Sequence, residues 1–181
     1  MRIETDLKII ERLAEERNEV NFEFRAFLKS RDIESHELDS IVYDITKEVT
    51  AQIDCTKCGN CCKIVRPVLD NKDISKFAFG LKLKIKEFED KYITQDKDID
   101  EGKIFYKLPC PFLKNKLCTN YDHRPKDCIS FPHLYKEEFI SRLLGIIDNY
   151  GICPIVFNVY EKLKLELWHF DYNEFDDDSF V

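Results

Sequence analysis

The sequence predicts a mainly α fold, with helices at both ends packed around a cysteine-rich, loop-dominated core that contains one small β-hairpin. Three observations predict it. Apolar residues recur at three- and four-residue steps before residue 53 and again after residue 139, which is helical spacing. Seven of the eight cysteines lie between those stretches. With 181 residues and 44% hydrophobic content, the chain has the length and apolar surface of one domain, and a single domain spanning 1–181 is expected.

The elements follow in order. From about Glu4 to Leu28, Leu7, Ile10, Leu13 and Ala14 are spaced by charged residues in a helical pattern. Leu38, Ile41, Val42, Ile45, Val49 and Ile53 define a second helix over about 35–53, with Ser35 or Asp32 as its expected N-cap, leading into the first cysteines. Together these form an N-terminal helical section, 1–53. Residues 64–70 read as extended because Pro67 removes a backbone donor, and 73–80 as a short helix closed by Gly80. Residues 81–93 read as a loop and then a helix, and 94–103 as an exposed polar connection. A strand over 103–108 is followed by a tight hairpin around Lys114-Asn115-Lys116, which places Cys110 and Cys118 near one another. In the C-terminal section, 133–170, Phe139, Leu143, Leu144 and Ile147 share a helical face. A last helix begins at Pro154 and presents Ile155, Val159, Leu163, Leu167 and Trp168. Residues 171–181 form an acidic, frayed tail.

Charge and composition exclude several function classes. Twenty-eight Lys and Arg stand against 35 Asp and Glu, a net charge of −7, which argues against a general phosphate-binding surface and so against nucleic acid as a partner. No apolar run approaches a membrane-spanning length, so no membrane partner is expected. The first residues alternate charge with apolar side chains and do not read as a secretory h-region, so a cytoplasmic location is expected. In that reducing compartment, closely spaced cysteines point to metal rather than to disulfides.

Cys55, Cys58, Cys61 and Cys62 put four thiols into eight residues, and Gly59 permits the tight turn between them. Packed thiolates repel one another and are costly to bury, a conflict that a cation or metal cluster resolves. Cys55, Cys58 and Cys61 have the two-residue spacing of bacterial ferredoxin loops, in which a remote Cys followed by Pro supplies the fourth ligand. Both Cys110-Pro111 and Cys153-Pro154 are such pairs, so spacing leaves the fourth ligand open. Adjacent residues in extended backbone point opposite ways, so Cys61 and Cys62 are expected to face two centres, and one partition of the octet gives Cys55, Cys58, Cys61 and Cys153 to the first and Cys62, Cys110, Cys118 and Cys128 to the second. A single centre with spare thiols is the other partition. Cys153 also precedes a helix N-terminus, where the macrodipole favours thiolate. Lys57, Lys63, Arg66, Arg124 and Lys126 flank the cysteines and would offset the net −2 left by four thiolates around either Zn²⁺ or a [4Fe–4S]²⁺ core. His123 and His133 are substitute ligands only if a cysteine is uninvolved.

Cys58-Gly59-Asn60-Cys61-Cys62, Cys110-Pro111-Phe112-Leu113, Cys118-Thr119-Asn120-Tyr121, Arg124-Pro125, Cys128 and Phe131-Pro132 together resemble the YkgJ-type cysteine-cluster family of zinc- or iron-chelating domains, over about 55–132. The resemblance implies a cytoplasmic metal-binding domain and makes Cys55, Cys58, Cys61, Cys62, Cys110, Cys118 and Cys128 candidate ligands; Cys153 lies beyond its shared core. A related cysteine pattern in the flagellin lysine methylases implies protein methylation as one activity, although those chains are much longer. Here the first two cysteines are separated by two residues where the family often has three. Tyr121 and Arg124 bear either on cluster sulfur or on ordinary packing, with Arg124 paired to Asp122 or Asp127.

The expected cofactor is an iron–sulfur cluster of the 4Fe-4S type, with zinc as the alternative, and all eight cysteines are its candidate ligands. The corresponding functions are electron transfer, or support of an oxidoreductase or group-transfer step, on the one hand, and a zinc-stabilised module for a protein partner on the other.

Overall fold

Asp6 starts the first helix: its carboxylate accepts from Lys8 N at 2.8 Å, and helix α1 runs Leu7–Glu16. The computed structural model describes residues 2–95 and 102–169, which divide into two units by internal contact, one formed by residues up to Ile53 and from Pro132 onward, the other by Asp54–Phe131.

The first unit is helical. Helix α2, Asn18–Ser30, follows α1 after a break at Arg17, so the pattern over 4–28 is two helices rather than one. The break has a partner. Arg17 Nη1 lies 2.6 Å from Glu161 Oε2, a carboxylate 1% exposed. Helix α3, Ser35–Thr50, is capped by Glu34, with neither Ser35 nor Asp32 serving; the Ser35 hydroxyl is buried without a hydrogen-bond partner. Its apolar stripe, Leu38, Val42, Ile45 and Val49, is buried as its spacing requires. Asp39 on α3 accepts from the backbone N–H groups of Glu138 and Phe139 at 2.8 and 2.9 Å and so tethers the 3₁₀ turn Phe139–Arg142. From here on the helices of the second unit are counted in chain order, which makes the next helices of this unit α8, Leu143–Tyr150, and α9, Pro154–Leu163; Pro154 occupies the first turn of α9 as the sequence predicts. A π-helical turn, Lys164–Trp168, extends α9 and stacks Trp168 on Phe24 and Phe27, with centroids 5.6 and 5.8 Å away. At the centre, Glu161 accepts from Lys164 Nζ at 2.6 Å and from the Tyr150 hydroxyl at 2.5 Å.

The second unit carries the cysteines. After a 3₁₀ turn, Cys55–Lys57, helix α4 is a single turn, Cys61–Ile64. Strand β1, Val68–Leu69, follows Pro67, then helix α5, Asn71–Gly80, begins with a reciprocal capping box between Asp70 and Asp73. Helix α6, Ile85–Tyr92, leads into β2, Ile93–Gln95, so the expected loop-then-helix holds, while the start of the polar connection is strand. The rest of that connection, 96–101, lies outside the described residues, as does the tail. Strand β3, Lys103–Phe105, is shorter than the predicted 103–108 and is central in an antiparallel sheet of order β1-β3-β2, with Val68 opposite Ile104 and Thr94 opposite Ile104 on the other side. Strands this short show no period-two pattern, which is why this sheet is absent from the sequence expectation. The expected hairpin is formed by β4, Leu113–Lys114, and β5, Leu117–Cys118. Asn115 and Lys116 turn it with φ of +50° and +68°, the signature of a two-residue turn that follows the twist of its strands. A last short helix of this unit, α7, Lys126–Ser130, carries Cys128.

The second unit's core is aromatic. Phe77, Phe88, Phe105 and Phe112 are buried with Leu69, Ile74 and Ala78, and Phe77 lies 4.7 Å from Phe112, centroid to centroid. Cys110 and Cys118 flank Phe112 and pack against this cluster. Mainly α architecture with a small β part therefore holds across the described residues.

Candidate metal centre

Four separate segments bring thiols within reach of one another's charge. Cys62 comes from α4, Cys110 precedes the hairpin, Cys118 ends it, and Cys128 comes from α7. Every pair among these four interacts electrostatically. The backbone fixes their approach. Cys110 N donates to Cys62 O at 2.7 Å, joining the first cysteine segment to the hairpin. Gly59 takes φ of +64° and comes so close to the hairpin turn that a Cβ there would stand 2.7 Å from Lys116 O, so the sequence needs Gly at this position for two reasons. Val68 N donates to Asp127 Oδ2 at 3.1 Å and Lys126 N to Asp73 Oδ1 at 3.0 Å, holding α7 on β1 and on the first turn of α5.

The thiols are not equivalent. A hydrogen bond from the Cys61 side chain lowers Cys62 to about 7, against the opposing effect of burial and with help from the Arg124 guanidinium. Burial pushes Cys110 up to about 11 and Cys128 up to about 12, with the neighbouring cysteines adding to both shifts. Cys118 is raised by the same causes. Three soft donors thus keep their protons beside one that readily gives its proton up. A bound cation would reverse that order by stabilising all four thiolates together.

The donor chemistry fits a zinc or iron centre, four sulfurs being the set such a centre takes. That fit rests on donor type and mutual charge, because among the described residues no three His, Cys, Asp or Glu side chains stand at ion-ligand spacing.

Other predicted site residues fall elsewhere. Cys61 and Cys62 lie in a helical turn, not in extended backbone, and their side chains hydrogen-bond to each other. The extended-backbone premise for assigning them to two centres is therefore corrected. Cys55 is exposed in its 3₁₀ turn and Cys58 is half-buried at the end of that turn. Cys153 belongs to the helical unit, where it is the N-cap residue of α9 and is 8% exposed. Lys57 is directed to Asp54, and Lys126 to Asp70. His123 stacks near Phe79, 5.9 Å between ring centroids, and packs beside Gly80.

Several supporting residues escaped the sequence reading. Asn120 is 5% exposed and donates through Nδ2 to Phe77 O at 2.9 Å, pinning the chain after Cys118 to α5. Asp73 both completes a capping box and accepts from Lys126 N. The Asp70-x-x-Asp73 spacing just before an apolar helical run was the available signal.

Searches among curated proteins and among solved structures give no match. Among the described residues no helix is long and apolar enough to cross a membrane. Residues 54–144 match the CxxCxxCC family, described as a putative zinc- or iron-chelating domain, a span that contains the four interacting thiols and half of the chain. The chain belongs to this family of zinc- or iron-chelating domains.

Proposed function

We propose that Cys62, Cys110, Cys118 and Cys128 form one tetrathiolate centre that holds an iron–sulfur cluster, and that the protein transfers electrons or supports an oxidoreductase or group-transfer step. The carrying observation is the mutual electrostatic interaction of all four sulfurs from four chain segments. Each of these thiols is only half-buried, so a redox partner could approach closely. The two-residue spacing of Cys55, Cys58 and Cys61 is that of bacterial ferredoxin loops and favours iron over zinc in this unit, although these three thiols lie outside the four-sulfur set. When bound, such a cluster supplies one-electron chemistry. The chain's own part is to present four sulfurs, hold Cys62 ready as thiolate and keep the loop closed through Cys110 N and Gly59.

A zinc-stabilised binding module is the second reading, favoured by the small size of the aromatic cluster in this unit, which a structural metal would reinforce. Iron, acid-labile sulfide and zinc are to be quantified on untagged protein purified without oxygen. Iron with matching sulfide is the expected result; zinc without sulfide would replace the first reading with the second.

A further inference from the structure

Between two of the cysteine segments, Arg124 is held against an aromatic ring. The Arg124 guanidinium carbon lies 3.4 Å from the centroid of the Tyr121 ring, and Arg124 Nε donates to Tyr121 O at 2.9 Å. The segment that carries both is anchored on its two sides. Before it, buried Asn120 is fixed to Phe77 O, and His123 fills the space left by the absent side chain of Gly80. After it, Lys126 N is fixed to Asp73. Arg124 thus stands on the segment between Cys118, at the end of β5, and Cys128, on α7, and its charge favours thiolate at Cys62, Cys118 and Cys128. Asp127, a sequence-level alternative partner for Arg124, accepts from Val68 N instead.

Four thiolates around a divalent ion or a [4Fe–4S]²⁺ core leave an excess of negative charge, and a fixed cation offsets it better than a mobile one because its ordering cost is met in the fold. We propose that Arg124 is a positioning residue for the metal centre, clamped by the Tyr121 ring so that its guanidinium offsets the charge of the tetrathiolate site. This rests on the tetrathiolate reading. Removing the charge should weaken metal binding, and removing the ring should weaken it less, since the cation then remains but is free to move.

The test is cobalt(II) titration of the metal-stripped full-length protein, read by thiolate-to-cobalt charge-transfer absorbance and by chelator competition, for wild type, R124Q, R124K and Y121L. Expected are a loss of about tenfold in affinity for R124Q, recovery to within about threefold of wild type for R124K, and an intermediate loss for Y121L, with the charge-transfer band retained in all four. Circular dichroism checks folding; should R124Q fail to fold, Y121L decides, and wild-type affinity in Y121L would overturn the proposal. Equal affinity in wild type and R124Q overturns it as well, as does failure of R124K to rescue. Absence of the thiolate band from wild type would instead defeat the tetrathiolate reading itself.

Discussion

The helical unit and the cysteine unit solve the problem of a stable interior in opposite ways. In the first, Leu38, Val42, Val49, Phe24, Leu143, Val156 and Leu163 are fully buried along its helices, and the charges at its centre are paired: Glu161 meets Arg17, Lys164 and the Tyr150 hydroxyl. In the second, strands of two or three residues and mostly short helices surround a small aromatic cluster, and beside it stand four sulfurs that repel as thiolates. One unit contains the partners of its buried charges; the other has donors whose natural partner is a metal. The contrast sets apolar and ionic packing on one side against chelating donors on the other.

The largest effect that would sharpen this contrast is expected at Glu161. Glu161→Ala leaves Lys164, wholly buried, and Arg17 without their carboxylate, which should cost about 3–5 kcal/mol by the usual penalty for breaking a buried pair. Urea unfolding followed by helical circular dichroism measures it, and the loss should be the same with and without metal.

Chelation should do the reverse. A strong chelator should make 54–131 susceptible to protease while leaving most helical signal intact. Its effect has a sign in pH: Cys110 and Cys128 lie at about 11 and 12 and must lose protons to bind, so apparent metal affinity should rise from about pH 6 to about pH 8. Competition titrations at several pH values check this; a flat profile would remove the thiols from the ligand set.

Smaller changes probe how the cysteine loop is closed. Gly59→Ala combines a left-handed φ with a 2.7 Å approach to Lys116 O and should cost about 1–3 kcal/mol, together with weaker metal retention on dialysis. Asp73→Ala removes half of a capping box and the acceptor for Lys126 N, a loss of about 1–2 kcal/mol by thermal unfolding.

What could be read from the sequence follows the same division. The stripe from Leu38 to Val49, Pro154 at the head of α9 and the Lys114–Lys116 hairpin were legible because each is a local pattern with a single physical solution. The break at Arg17 was not, since the carboxylate this residue meets, Glu161, lies 144 residues away. Cys61 and Cys62 were misread for a related reason: adjacent cysteines have opposite directions only in a strand, and nothing local announces a one-turn helix. The capping box at Asp70 and Asp73 was written in the sequence, but its second duty, holding the segment before Cys128, is tertiary.

The most direct test of the central claim is metal stoichiometry in serine variants of single cysteines, purified without oxygen and checked for folding. Cys62→Ser and Cys128→Ser should lose most bound metal, whereas Cys153→Ser, altered in the helical unit, should retain the wild-type content. Full metal content in Cys62→Ser and Cys128→Ser, or loss confined to Cys153→Ser, would contradict a centre built from Cys62, Cys110, Cys118 and Cys128.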